Sequence, residues 1–162
     1  VNAIKTLMPQ ASIGMDVIVG FPGETDDEFM QTMDFIRETD VTYLHVFTYS
    51  ERNNTLAATM ESAVAPATRK ERNRMLRILS EKKNRAFSET NAGRWLDVLF
   101  ESENKDGNIH GYTPNYIRVS APFSSELINK VVRCRISGPD ADGNVTALEG
   151  HEQNTNTTTL FS

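Results

Sequence analysis

The chain has 162 residues, of which 38% are apolar, 24% charged and 8% aromatic, with a formal net charge of −5. This composition excludes a collagen, a disordered tail and a disulfide-stapled miniprotein. No run approaches the ~18 apolar residues of a membrane helix, Val1 to Gln10 lacks the segments of a signal peptide, and the single cysteine, Cys134, cannot by itself hold zinc or an iron–sulfur cluster. These features predict a soluble, cytoplasmic protein with no membrane partner.

Val1 to Met8 reads as the end of a helix. Ile13 to Gly20 is a short, nearly continuous apolar run rich in β-branched residues, as expected of a strand buried on both faces of a parallel sheet. Phe21-Pro-Gly23 ends it. Thr25-Asp-Asp-Glu28 has the form of a capping box with an acidic first turn, and Phe29, Met33 and Ile36 follow at helical spacing. The run from Val41 to Thr48 completes a right-handed β-α-β unit with parallel strands. Two such strands and one helix leave a sheet lacking neighbours on both edges and cover on both faces, which predicts the C-terminal part of a longer protein.

A polar turn, 49–55, precedes a short helix from Leu56 to Met60. A long helix then starts at Pro66 and stops at Gly93, with Met75, Leu79 and Ala86 as its apolar stripe and Leu76 and Phe87 alongside. From Trp95 the pattern turns to strands: Trp95 to Phe100, Tyr116 to Ser120, Lys130 to Ser137 and Val145 to Leu148, separated by turns at 105–108, 137–140 and 142–144. Four or five strands in this span predict a small OB-like barrel. The tail from His151, with Asn-Thr-Asn-Thr-Thr-Thr, lacks an apolar period and is expected to be mobile.

Charge divides the chain at the same places. Residues 1–65 hold three basic and ten acidic side chains, residues 66–94 nine basic and three acidic, and residues 95–150 five basic and eight acidic. The basic helix is read either as a solvated face or as an RNA contact.

Two stretches carry candidate chemistry. In Ile18-Val-Gly-Phe-Pro-Gly-Glu-Thr25, glycines let backbone approach a ligand at the C-terminal rim of parallel strands, where a helix N-terminus offers free N–H groups; an ordinary strand-to-helix turn is the alternative. His45, in the middle of the second strand, is a core histidine or a pocket residue. In the barrel region Tyr112 and Tyr116 offer stacking faces or rim packing, Asn115 offers base-edge or ribose hydrogen bonds, and Arg118, Lys130, Arg133 and Arg135 offer phosphate contacts. Arg133 and Arg135 share one strand face and Val132 and Cys134 the other, so Cys134 is expected to be inert packing.

The segment 18–25 resembles the Gly-Phe-Pro-Gly-Glu-Thr motif on the fifth strand of radical-SAM enzymes, in particular the methylthiotransferases that modify tRNA and ribosomal protein. His45-Val-Phe-Thr-Tyr-Ser-Glu-Arg-Asn-Asn-Thr-Leu-Ala57 is similar to that family's next motif, with Asn54 in place of its glycine; asparagine tolerates the left-handed backbone a glycine adopts there. Residues 95–150 resemble the family's TRAM module through Val98-Leu-Phe-Glu101, Gly111-Tyr-Thr-Pro-Asn-Tyr-Ile-Arg-Val119 and Leu127-Ile-Asn-Lys-Val131. Gly-Tyr-Thr-x-Asn-Tyr is similar to the subgroup acting on N6-threonylcarbamoyladenosine beside the anticodon.

The resemblance implies an α/β plus small all-β organisation: the C-terminal part of a radical-SAM partial barrel in 1–65, a basic linker helix in 66–94, an OB-like TRAM barrel in 95–150 and a mobile tail in 151–162. It implies a transferase using S-adenosyl-L-methionine and two 4Fe–4S clusters whose cysteines are absent here, so that this chain alone is expected to be inactive. SAM-binding positions would be Val19, Gly20, Phe21, Phe47 and Tyr49, and the substrate loop Ser50, Arg52 and Thr55. RNA-binding positions would be Tyr112, Asn115, Tyr116, Arg118, Lys130 and Arg133. The expected partners are the anticodon stem-loop of tRNA and the N-terminal part of the same enzyme. Alternatives are an enzyme acting on isopentenyladenosine or ribosomal protein, a different radical-SAM enzyme such as an oxidative decarboxylase, and a stand-alone RNA-binding module.

Overall fold

A computed structural model describes residues 1–152; the remainder of the tail, residues 153–162, lies outside the described residues. The chain divides into two compact units, Val1–Asn84 and Arg85 onward.

The first unit contains α1 (Asn2–Leu7), β1 (Gly14–Val19), α2 (Asp26–Glu38), β2 (Tyr43–Thr48), a 3-10 turn (Leu56–Thr59) and most of α3 (Pro66–Asn91). β1 and β2 pair in parallel from Gly14↔Tyr43 to Val19↔Thr48. The capping box of α2 forms as the sequence predicts: the Glu28 N–H donates to Thr25 Oγ1 at 3.2 Å, and the Thr25 N–H donates to the Glu28 carboxylate at 2.8 Å. These bonds hold the Glu28 carboxyl below its ordinary range.

The core of this unit gathers Val19, Phe29, Met33, Ile36, Val41, Leu44 and Leu76. Burial on both sheet faces is not found. Alternation places Met15, Val17 and Val19 with Leu44 and Val46 against the helices, while Asp16, Ile18, His45 and Phe47 are exposed on the other face. His45 is therefore not a core residue; its ring meets Tyr43 edge-on at 5.1 Å. The edges also differ from expectation. The Leu44 N–H donates to Ser80 Oγ at 2.8 Å and Asn73 Nδ2 donates to the Val46 carbonyl at 3.3 Å, so side chains of α3 satisfy outward-facing backbone groups of β2 that another strand would otherwise take.

The helix expected over 66–92 is present, but as a structural wall of the unit rather than a solvated spacer: Leu76 is fully buried with Met75 and Leu79 beside it, whereas Ala86 is exposed. Among the described residues no helix is long and apolar enough to cross a membrane.

The second unit holds the last turns of α3 and β3 (Trp95–Lys105), β4 (Asn108–Tyr112), β5 (Arg118–Pro122), a 3-10 turn (Ser125–Leu127), β6 (Val131–Ile136) and β7 (Val145–Glu152). The strands close a barrel in the order β3-β4-β5-β7-β6. Pairing is antiparallel except between β5 and β7. Inward-facing Val98, Phe100, Ile109, Val119, Val132, Cys134 and Ile136 are each fully buried, as the alternation predicts.

The Asp106-Gly107 turn between β3 and β4 has φ of 53° and 78°, the two positive values of a type I′ hairpin. Gly111 lets β4 approach β3, because a Cβ there would stand 2.5 Å from the Leu99 carbonyl oxygen. β4 is the strand not delimited from sequence, and β7 runs two residues past the predicted barrel limit. β5 starts at Arg118 rather than Tyr116 because Tyr116 sits in a turn at φ 64°.

Candidate functional site

At the C-terminal ends of β1 and β2 the first unit forms a cavity of about 390 Å³ lined by Ile18, Phe21, Phe47, Thr48, Tyr49, Ser50, Arg52, Thr55 and Ala57. Strand register sets its floor: Ile18 opposes Phe47, and both remain more than half exposed. Phe21 and Tyr49 meet edge-to-face with centroids 5.2 Å apart. The cavity thus has an aromatic and aliphatic interior and a rim bearing one hydroxyl pair, Ser50 and Thr55, and one guanidinium, Arg52.

Six of the eight cavity positions expected from sequence meet here. The other two, Val19 and Gly20, do not line it. Val19 is fully buried on the helix side of the sheet, as its alternation with Ile18 requires, and that alternation is the signal that identifies Ile18 instead. The Gly20 N–H donates to Glu24 Oε2 at 2.7 Å and is not open to a ligand. Its φ is +76°, and a Cβ there would stand 2.4 Å from Arg69 Cγ; the glycine is required by conformation and by the arginine beside it. The start of α2 is occupied likewise by its own capping box and three acidic residues, which disfavour a further anion.

In the following loop Asn54 takes φ 65°, the left-handed conformation anticipated for it. Thr55 Oγ1 accepts from the Ala58 N–H at 3.3 Å and donates to the Arg52 carbonyl at 2.8 Å, so Thr55 shapes the loop that carries Arg52. The Tyr49 hydroxyl is buried without a hydrogen-bond partner among the described residues, a condition costing ~1–3 kcal/mol.

Two arginines of α3 bond the loops that carry the site. Arg69 donates through Nε to the Val64 carbonyl, through Nη1 to the Tyr49 carbonyl and through Nη2 to Glu51, the last at 2.6 Å. Arg72 donates to the Glu24 carbonyl and carboxylate and, at 2.7 Å, to Asp26. The bond to Glu51 raises the Arg69 pKa and lowers that of the Glu51 carboxyl. For Arg72, burial acts to lower the pKa, but the bonds to Asp26 and Glu24 outweigh it and the net shift is upward. These two arginines belong to the basic segment read from sequence as a solvated face or phosphate contact, and their burial rules out both. Lys83 is also engaged, donating to the Thr39 carbonyl at 2.8 Å, and Arg74 pairs with Glu71.

In the second unit Tyr112 and Tyr116 form an exposed pair with centroids 5.8 Å apart and planes tilted by 48°. Tyr116 is 71% exposed. Its positive φ is held by a tight turn in which the Tyr116 N–H donates to the Thr113 carbonyl at 2.9 Å and the Ile117 N–H to Thr113 Oγ1 at 2.9 Å. Asn115 is committed to the same turn: its Oδ1 accepts from Thr113 Oγ1 at 2.7 Å, and its Nδ2 donates to Oδ1 of the fully buried Asn91 at 3.3 Å. Asn115 is therefore a strut rather than a free base-edge group.

Arg118 opposes Tyr112 in register on the outer face of β4 and β5 and makes no ion pair among the described residues. Lys130 is exposed. Arg133 is paired with Asp97 at 3.1 Å and Arg135 with Glu149 at 3.4 Å, so each has a neutralising cross-strand partner. Cys134 is buried in the barrel core, with its thiol pushed up to about 12 by burial.

The residues present discriminate between the cofactors implied by resemblance. The cavity's aromatic floor and polar rim fit a nucleoside-bearing ligand such as S-adenosylmethionine. They do not fit an iron–sulfur cluster: the one cysteine lies in the barrel core, and among the described residues no group of three histidine, cysteine or carboxylate side chains is placed to hold a metal.

No protein-family model matches the chain. It is 36% identical over 139 residues to the threonylcarbamoyladenosine tRNA methylthiotransferase MtaB of Bacillus subtilis, covering 83% of this chain and 31% of that protein. To the protein of the same name from Aquifex aeolicus it is 38% identical over 136 residues, 84% of this chain and 32% of the relative. To the tRNA-2-methylthio-N(6)-dimethylallyladenosine synthase of Symbiobacterium thermophilum it is 36% identical over 139 residues, 85% of this chain and 30% of the relative. The chain spans about a third of the length of the curated relatives it matches, and it belongs to the tRNA methylthiotransferase family.

Proposed function

We propose that the chain forms part of an enzyme that adds a methylthio group to carbon 2 of a modified adenosine beside the tRNA anticodon, with N6-threonylcarbamoyladenosine as the preferred base. Within it, the cavity walled by Ile18, Phe21, Phe47 and Tyr49 contributes part of the S-adenosylmethionine site, Ser50 and Arg52 face the substrate, and the barrel grips RNA. When bound, S-adenosylmethionine supplies the methyl group and the radical chemistry; the chain's residues bind and orient it and exclude water. The clusters would be held outside this chain, which alone would be inactive.

The observation that supports the RNA role best is Tyr116: a bulky side chain held at positive φ costs roughly 1–2 kcal/mol, and the 71% exposed ring recovers little of it by burial. In this reading the ring stacks an unpaired base against Tyr112, and Arg118, opposite Tyr112 in register, takes a phosphate. The motif Gly111-Tyr-Thr-Pro-Asn-Tyr116 and two relatives named for threonylcarbamoyladenosine favour that base, and isopentenyladenosine is the competing outcome.

Titration of the chain with anticodon stem-loops carrying either base, and with an unrelated hairpin, tests this. Arg118→Ala should lower the slope of log affinity against log salt by about one unit. Tyr116→Asn should cost ~1–3 kcal/mol of binding at unchanged slope, while folding stability stays within about 1 kcal/mol because asparagine suits the positive φ. Equal binding of the unrelated hairpin, unaffected by either substitution, refutes the RNA role.

A further inference from the structure

We propose that Arg69 and Arg72 are positioning residues for the cavity, a two-arginine brace that fixes the loop after β1 and the loop after β2 against one face of α3. Their spacing of three residues puts both on the same side of the helix, and both are almost fully buried, at 7% and 4% exposure. Each engages a different loop. Arg72 holds Glu24 and Asp26, and the same Glu24 carboxylate takes the Gly20 N–H, which closes the segment that aims Phe21. Arg69 holds the Tyr49 carbonyl, Glu51 and Val64, and its guanidinium lies 5.4 Å from the Tyr49 ring centroid.

Between them these bonds set the edge-to-face contact of Phe21 with Tyr49. The loops' own backbone bonds are few: Glu24 N–H to the Phe21 carbonyl, Gly23 N–H to the Ser62 carbonyl and Tyr49 N–H to the Val19 carbonyl.

The chemistry of the brace is particular to arginine. Arg69 uses three nitrogens on three acceptors and Arg72 two nitrogens on three, which a planar fork provides and an ammonium on a flexible stem does not. A buried ion pair gives little net stability compared with an apolar pair of the same volume. Its consequence here is geometric, since directional bonds fix where the loops stand. The inference concerns the cavity wall and holds whichever ligand the cavity takes.

Amide hydrogen exchange of the chain, resolved by NMR, tests it. Arg72→Gln should accelerate exchange at Gly20 and Glu24 by tenfold or more, and Arg69→Gln should do the same at Tyr49 and abolish the ring contact between Phe21 and Tyr49 in nuclear Overhauser spectra. Amides of the β1–β2 ladder should change less than about twofold, and Arg72→Lys should behave like Arg72→Gln. Glu51→Gln, a change at an exposed side chain that keeps the fold, should accelerate Tyr49 alone. Loop and ladder amides accelerating together would assign the arginines a merely structural role and overturn the proposal. Rescue by lysine, or unchanged loop exchange in Glu51→Gln, would overturn it as well.

Discussion

Replacing Gly20 and Gly23 separately by alanine separates two physical demands placed on one loop. Both glycines have positive φ, +76° and +88°, so each alanine carries a conformational cost of roughly 1–2 kcal/mol, reduced by ~0.4–1 kcal/mol because alanine also restricts the unfolded chain. At Gly23 nothing among the described residues lies within 4 Å of the added Cβ, and the expected net loss is about 1 kcal/mol. At Gly20 the added Cβ would stand 2.4 Å from Arg69 Cγ, with Cβ and Cδ of the same side chain at 3.0 Å. The stem of Arg69 cannot swing aside without disturbing its bonds to Val64, Tyr49 and Glu51, and hydrogen bonds to charged groups are worth ~1.5–3 kcal/mol each.

The loss at Gly20 is therefore about 3–5 kcal/mol. Urea unfolding followed by helix ellipticity at 222 nm measures both variants; with a slope of ~1 kcal/mol per molar urea, Gly23→Ala should move the midpoint by about 1 M and Gly20→Ala by about 3–5 M. Fluorescence of the one tryptophan, Trp95 in β3, reports the barrel in the same samples. Equal losses in the two variants would refute the close approach of Arg69 to Gly20 and with it the account of why this position is glycine.

Two further outcomes follow from the cysteine. Because the Cys134 thiol is raised to about 12 from an ordinary value near 9.0, the stability it contributes is complete below pH 9 and is lost as pH rises from there toward about 12; at pH 8.5 iodoacetamide should label the folded chain on the order of 1,000-fold more slowly than the urea-unfolded chain, and equal rates would place the thiol outside the core. Anaerobic reconstitution of the chain with iron and sulfide should leave it colourless, and stoichiometric 4Fe–4S absorbance in a monomeric preparation would refute the assignment of the clusters to residues elsewhere.

The features legible in the sequence are those set within a few residues. The capping box at Thr25 and Glu28, the Asp106-Gly107 turn and the alternating barrel strands rest on local propensity or periodicity, whereas the left-handed Asn54 and the grouping of Phe21, Phe47, Tyr49, Ser50, Arg52 and Thr55 come from the resemblance to the methylthiotransferase motifs. Even Ile18 was accessible from strand alternation.

What only the tertiary structure decided involves partners far apart in the chain. Arg72 reaches Glu24 across 48 residues and Arg69 reaches Glu51 across 18, so a run of positive charge contains two side chains that are almost fully buried. Ser80 and Asn73 cover the edge of β2, Asn91 ties down Asn115 across 24 residues, and Tyr116 takes positive φ although tyrosine has no preference for it. Composition records how many charges and amides a segment carries. Whether each is solvated, paired or used as a strut depends on which distant backbone groups need a donor or acceptor once the core has closed, because buried polar groups must find partners.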